Sequence, residues 1–190
     1  MNQVHQDKTF SKTDFTQTAF VKGEYENCIF SHCNFSDCDL STTKFIDCKF
    51  NDCNLSLCKI QKTSFQNIGF KDCKMLGMRF DLCNPFLLSF SFDNCQLDHS
   101  SFYGTKIKKT RFKSSKLSEV DFTGCELSES VFQDCDLDRA IFENTHLEKA
   151  DLRSAFNYSI DPEKNRIRKA KFSVQGVAGL LDKFDIIIEN

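Results

Sequence analysis

Large apolar residues recur at every fifth position along most of the chain. From Phe10 the series runs through Phe15, Phe20, Tyr25 and Phe30 to Phe80, fifteen steps without a miss. It then slips by two residues. Phe92 opens a second series that continues through Leu97, Phe102, Ile107 and Phe112 to Leu152, thirteen more without a miss. Two residues before each central residue lies a small side chain, such as Cys28, Cys33, Cys48 and Cys53 early on, and Ser100, Thr105, Cys125 and Ala140 later. The residue between the two is mostly polar, as at Asn34, Asp39, Asn54, Asp121 and Asp136.

Neither ordinary period explains this pattern. On a helix, steps of five rotate the apolar residue by about 140° each time, so no stripe forms. On one straight strand they alternate faces. The pattern closes only if the chain turns a corner every five residues, with small and central residues pointing inward and the residue between them outward, which is a solenoid. In the second series Phe alternates with Leu or Ile, and a 20-residue coil places like over like (Phe92, Phe112, Phe132; Leu97, Leu117, Leu137). The expected fold is an all-β solenoid, a four-sided parallel β-helix of about seven coils.

The slip lies in Asp81–Phe92 (DLCNPFLLSFSF). Asn84-Pro85 is a turn signal, and proline cannot donate into a ladder. Two readings stand: a bulge or hinge between stacked blocks, or a protruding contact loop carrying Phe86, Leu87 or Leu88. The organisation is one domain over 1–190, with coils at about 10–85 and 92–156. After a loop at Asn157–Asn165, Ile167 and Phe172 resume the five-residue step. Ser173 is placed to cap a short helix with Val174, Val177, Ala178 and Leu181 on its apolar face. Asp185–Glu189 reads as a closing strand. Solenoid ends need covering, so 173–190 is expected either as a cap alone or as a cap that also forms a two-fold dimer interface through Val174, Val177, Leu181, Ile186 and Ile188.

Composition narrows the function classes. The 190 residues carry 25 Lys+Arg and 27 Asp+Glu, a net charge of −2, which argues against a general nucleic-acid binder or a polybasic membrane protein. No apolar run is long enough for a membrane span, and the polar start Met1–Phe10 does not read as a secretory signal. Of the 11 cysteines, ten fall in the small inward slot, and Cys83 does too if the first phase persists to Pro85. Spaced by five and without CxxC, they read as buried reduced thiols, which suits a reducing cytoplasm. His5, His32, His99 and His146 show no ligand spacing. With no zinc motif, nucleophile–base pair or glycine-rich phosphate loop, the expectation is a non-enzyme with no cofactor and no metal.

The units CNFSD, CDLST, CNLSL, VDFTG, CDLDR and ADLRS resemble the pentapeptide-repeat family, whose pattern is A(D/N)LXX, over about Phe10–Leu152. Cys, Thr or Ser often stands for Ala, and Phe for Leu. The resemblance implies a right-handed quadrilateral β-helix. The tail, IDPEKNRI followed by KFSVQGVAGLLDKFDIII, is similar to those of the quinolone-resistance pentapeptide proteins and the microcin immunity protein. That likeness implies a C-terminal helix, a homodimer, and protection of DNA gyrase or topoisomerase IV by mimicry of DNA, with no direct nucleic-acid or membrane contact. A mimic needs an acidic stripe. Residues 20 apart mostly carry opposite signs (Glu24/Lys44, Lys106/Glu126, Glu119/Arg139), so a self-paired surface is expected, with Asp37, Asp47, Asp52 and Asp72 as the candidate acidic face. The rival reading is a scaffold that binds an unrelated protein through Phe86 and Leu87.

Overall fold

A computed structural model describes residues 3–187. The chain coils around one core and forms eleven short strands. These are β1 (Gln3–Gln6), β2 (Thr9–Ser11), β3 (Gly23–Glu26), β4 (Ile29–Ser31), β5 (Lys44–Ile46), β6 (Lys49–Asn51), β7 (Ser64–Gln66), β8 (Ile68–Lys71), β9 (Phe90–Asp93), β10 (Arg111–Lys113) and β11 (Val131–Gln133). All pair in parallel. The first side of the coil is the sheet β1-β3-β5-β7, and the second is β11-β10-β9-β8-β6-β4-β2. Bridges such as Asn34↔Asn54 and Lys116↔Asp136 mark the third side, and Ser101↔Asp121 and Asp121↔Ile141 the fourth. The register is 20 throughout a block: Phe10 lies over Phe30, Phe30 over Phe50, and Phe92 over Phe112. The four-sided coil of about seven turns is therefore as the five-residue period requires.

The corners have a common cause. The second residue after most central positions takes a left-handed backbone, for example Asp37 at φ 59°, Asp52 at 53°, Leu57 at 59° and Gly104 at 63°. Asn, Asp and Gly tolerate this conformation best, and they fill many of the corners.

Inside, the central rings stack from coil to coil and meet edge-on around the coil. Phe112 lies 5.2 Å from Phe92 and 4.9 Å from Phe132, nearly parallel to both, while Phe122 meets it at 80°. Both geometries suit the aromatic quadrupole. The small slot does more than save space. The Cys48 thiol donates to the Tyr25 carbonyl of the preceding coil, and Thr63 Oγ1 (2.8 Å) and Thr145 Oγ1 (2.9 Å) donate to Leu40 and Phe122 in the same way. Cys, Thr and Ser thus interchange because each is small and each is able to donate.

The ladder also starts one step earlier than the apolar series. His5 is buried in the central slot of β1 and stacks on Tyr25 at 4.5 Å.

At the break, the sheet register jumps from 20 to 22, with Ile68 opposite Phe90. Pro85 does not continue the core; Leu88 is buried instead, and the extra residues bulge out. The bulge is tied by Asn84 Oδ1 accepting from the Phe86 amide at 3.0 Å. The second block thus follows the first without interruption of the core.

The C-terminal cap departs from expectation in its geometry. Two 3₁₀ helices form, Gln175–Leu180 and Asp182–Phe184, and Ser173 Oγ caps the first by accepting from the Gly176 amide at 3.0 Å. With three residues per turn, Gly176 and Gly179 share the inner line against Tyr158. A Cβ on Gly176 would overlap the Tyr158 hydroxyl, and one on Gly179 the Tyr158 carbonyl oxygen. Leu180 and Leu181 are half-buried, whereas Val174, Val177 and Ala178 face solvent. The expected apolar face is therefore turned outward. Asp185–Ile187 form no strand; Ile188 and Glu189 lie outside the described residues.

Candidate partner-binding surfaces

The core consumes the inward slots, so any recognition falls to the outward residues, the corners, the bulge and the cap. The cysteines are largely withdrawn from solvent. All eleven are free, and ten are fully buried, Cys38 being half-buried. Burial pushes the Cys48, Cys125 and Cys135 thiols up to about 12, and hydrogen bonding to neighbouring thiols, then burial, pushes Cys73 up as well. No group of three or more His, Cys, Asp or Glu side chains among the described residues could hold a metal ion. Among the described residues, no helix is long and apolar enough to cross a membrane.

The four candidate aspartates all occupy left-handed corners, Asp37 at φ 59°, Asp47 at 51°, Asp52 at 53° and Asp72 at 54°. The corner conformation is itself sufficient reason for their residue type. They also lie on three different edges of the rod. Asp47 is between the first and second sides, Asp52 and Asp72 are stacked between the second and third, and Asp37 is between the third and fourth. Asp47 accepts from Asn67 Nδ2 at 2.6 Å, Asp72 from Asn94 Nδ2 at 2.7 Å, and Asp52 pairs with His32. Asp52 and Asp72 do line one open groove of about 370 Å³, which they share with Lys74, Asn94, Gln96 and Lys116.

Resolving charge by side shows an asymmetry that pairwise reading along the sequence conceals. In the second block the third side presents Asp98, Glu119, Asp136 and Asp138 against Lys116 and Arg139. The fourth side presents Asp121 and Glu143. The first and second sides of the same block carry Lys106, Lys108, Lys109, Arg111 and Lys113 on one coil, balanced by Asp93, Glu126, Glu129, Asp134, Glu148 and Asp151 on the coils around it, so the asymmetry lies in the cations. Rung-to-rung pairs form as the spacing predicts at Glu24–Lys44 (3.0 Å), Lys106–Glu126 (3.5 Å), Lys109–Glu129 (3.9 Å) and Glu119–Arg139 (2.9 Å). Asp39 pairs with Lys22 at 2.6 Å instead of its rung neighbour Lys59, and that hydrogen bond pulls its carboxyl down to about 2.

Two apolar features stand out. Phe86 and Leu87 at the bulge are 66% and 62% exposed. On the cap, Val174 is 88%, Ile186 56% and Ile187 89% exposed.

Family models describing pentapeptide repeats match residues 10–45 and 38–77, and one describing a pentapeptide repeat region matches 83–152. The chain belongs to the pentapeptide-repeat family. Among solved structures, the pentapeptide-repeat fold of this chain is similar to that of a trypsin-treated variant of QnrB1, a plasmid-mediated fluoroquinolone resistance protein. The match has 17% identity and a TM-score of 0.63 and covers 100% of both chains. A second trypsin-treated QnrB1 variant matches with 20% identity over 98% of this chain and 100% of that one, at a TM-score of 0.49. HetL, involved in heterocyst differentiation regulation in Nostoc sp. strain PCC 7120, matches with 13% identity over 90% and 87%, at 0.41. No curated protein matches the chain. At 17% identity the first of these likenesses shows the fold alone.

Proposed function

We propose that this pentapeptide-repeat protein is a non-catalytic, cytoplasmic protein-interaction rod whose partner is a type II topoisomerase, which it protects from inhibitors by occupying the surface that binds DNA. The observation that supports this reading is the scarcity of cations on the third and fourth sides of the second block, where Asp98, Glu119, Asp121, Asp136, Asp138 and Glu143 stand against Lys116 and Arg139. Carboxylates fixed on laddered rungs about 4.8 Å apart offer a rigid, net negative surface to a basic groove. The Asp52–Asp72 corner adjoins this surface and extends it toward the first block. The tail resemblance to quinolone-resistance proteins, and the QnrB1-like fold along the whole chain, support the same partner class.

The cap serves a homodimer in this reading. Val174, Val177 and Ile186 leave an apolar end uncovered in the monomer, and a two-fold partner would bury it. Leu181 is half-buried against the rod and supports that surface from beneath.

A second reading rests on the bulge. Adjacent exposed Phe86 and Leu87 are an aromatic–aliphatic pair of the kind that anchors protein interfaces, and they suit a partner unrelated to topoisomerases. A gyrase supercoiling assay, with and without a quinolone, separates the two. Reversal of Asp52 and Asp72, or of Asp121 and Asp136, abolishes the effect if the acidic sides bind. Replacement of Phe86 and Leu87 by Ser leaves it intact.

A further inference from the structure

The last regular coil carries an unassigned basic strip. Arg166, Arg168, Lys169 and Lys171 fall within six residues, all exposed, around the corner between the first and second sides. Among the described residues, none of the four has an ion-pair partner. This contrasts with the lysines of the coil at 105–115, where Lys106, Lys108, Lys109 and Lys113 all pair with carboxylates of neighbouring coils. From the geometry we infer that this strip is a contact surface for the phosphate backbone of duplex nucleic acid, independent of the topoisomerase reading.

The strip is held in place by the fold. The Arg166 amide donates to the Thr145 carbonyl at 3.0 Å and the Lys171 amide to Ala150 at 2.8 Å, so both ends are laddered onto the coil below. Asn165, buried just before the strip, donates to the Phe142 carbonyl at 2.8 Å and accepts from the Thr145 amide at 2.9 Å. Lys169 sits in the left-handed corner at φ 60°. Arg166 and Arg168, two residues apart on an extended segment, are separated by roughly 6.6 Å. The nearest anions on the coil below are Glu148 and Asp151, and Asp151 is already engaged by Arg153 at 2.7 Å.

The chemistry favours phosphate over the alternatives. A bilayer surface calls for apolar residues beside the cations, and within the strip Ile167 and Ala170 are half-buried. Phosphates need only fixed, unpaired cations, with guanidinium forks suited to bidentate contact. The near-neutral total charge does not oppose this, because carboxylates on the coils below the strip are paired with cations of their own, as Glu129 is with Lys149 and Asp151 with Arg153.

The test is fluorescence anisotropy of a labelled 20-base-pair duplex titrated with the full chain at 50 mM salt. Four phosphate contacts predict that binding weakens about 150-fold on going to 200 mM salt, from a slope of about 0.9 per contact. Arg166→Glu with Arg168→Glu is expected to weaken binding at least tenfold at 50 mM. Lys169→Gln, a milder change, lowers the salt slope by about 0.9, and Lys44→Gln, at a paired lysine, changes neither. Absence of binding at 100 µM protein (about the weak limit of non-specific association) overturns the inference. So does equal binding by the double variant, or capture by phosphatidylserine vesicles without capture of the duplex.

Discussion

Thr43 and Thr63 form a matched pair for the claim that the small slot ties coil to coil by side-chain hydrogen bonds. They are stacked in the same column of the first side, and both are 0% exposed. Thr63 Oγ1 donates to the Leu40 carbonyl at 2.8 Å, whereas Thr43 Oγ1 is buried with no partner. Valine has nearly the shape of threonine and cannot donate. Thr63→Val therefore removes a satisfied buried bond, for a loss of about 0.5–1.5 kcal/mol. Thr43→Val removes a hydroxyl that was desolvated without compensation, for a gain of about 1–2 kcal/mol. At about 2–4 °C per kcal/mol for a chain of this size, the thermal midpoints should move in opposite directions and separate by several degrees. Urea unfolding followed by far-UV circular dichroism, alongside thermal scans of both variants and the parent, reads this directly. Equal shifts of the same sign would refute the hydrogen-bonding role and leave the slot selected for size alone.

Two further outcomes follow from the same physical picture. Gly179→Ala places a methyl against the Tyr158 carbonyl oxygen, so the cap is displaced at roughly 1–3 kcal/mol; limited proteolysis should cut within 173–187 faster in the variant than in the parent. A thiol reagent should label the native protein slowly, Cys38 first because it is half-buried and the other ten are fully buried, with full labelling only on unfolding; rapid stoichiometric labelling of any other cysteine would contradict the buried-thiol account.

Much of the fold is legible in the sequence because each five-residue unit repeats one physical problem. Phe112 and Cys53 announce their slots by spacing alone, and the Phe/Leu alternation distinguishes four sides from three. The slip at Asp81–Phe92 is equally visible, although Leu88 rather than Pro85 fills the core there, since the bulge lets the chain skip an unsuitable residue. His5 escapes a hydrophobicity count because its ring packs like an aromatic residue while its composition class is polar; it stands five before Phe10, and that spacing was the available signal.

The surface is less legible. Asp37, Asp47, Asp52 and Asp72 stand out as acids, but their shared feature is a backbone conformation, and the corners scatter them around the rod. The carboxylates of the third and fourth sides, Asp121 and Asp136 among them, emerge only when the 20-residue coil is unrolled into sides. The cap reads as an amphipathic helix of period 3.6. Gly176 and Gly179 instead permit a close approach with period 3, which turns Val174 and Val177 outward.

The most direct measurement of the central claim is DNA gyrase supercoiling titrated with this protein, with and without a quinolone, beside the Asp121→Lys/Asp136→Lys variant. The account predicts inhibition or drug rescue by the parent and neither by the variant, while the variant remains folded by circular dichroism at the assay temperature. No effect of the parent at tens of micromolar, or an undiminished effect of the variant, would contradict it.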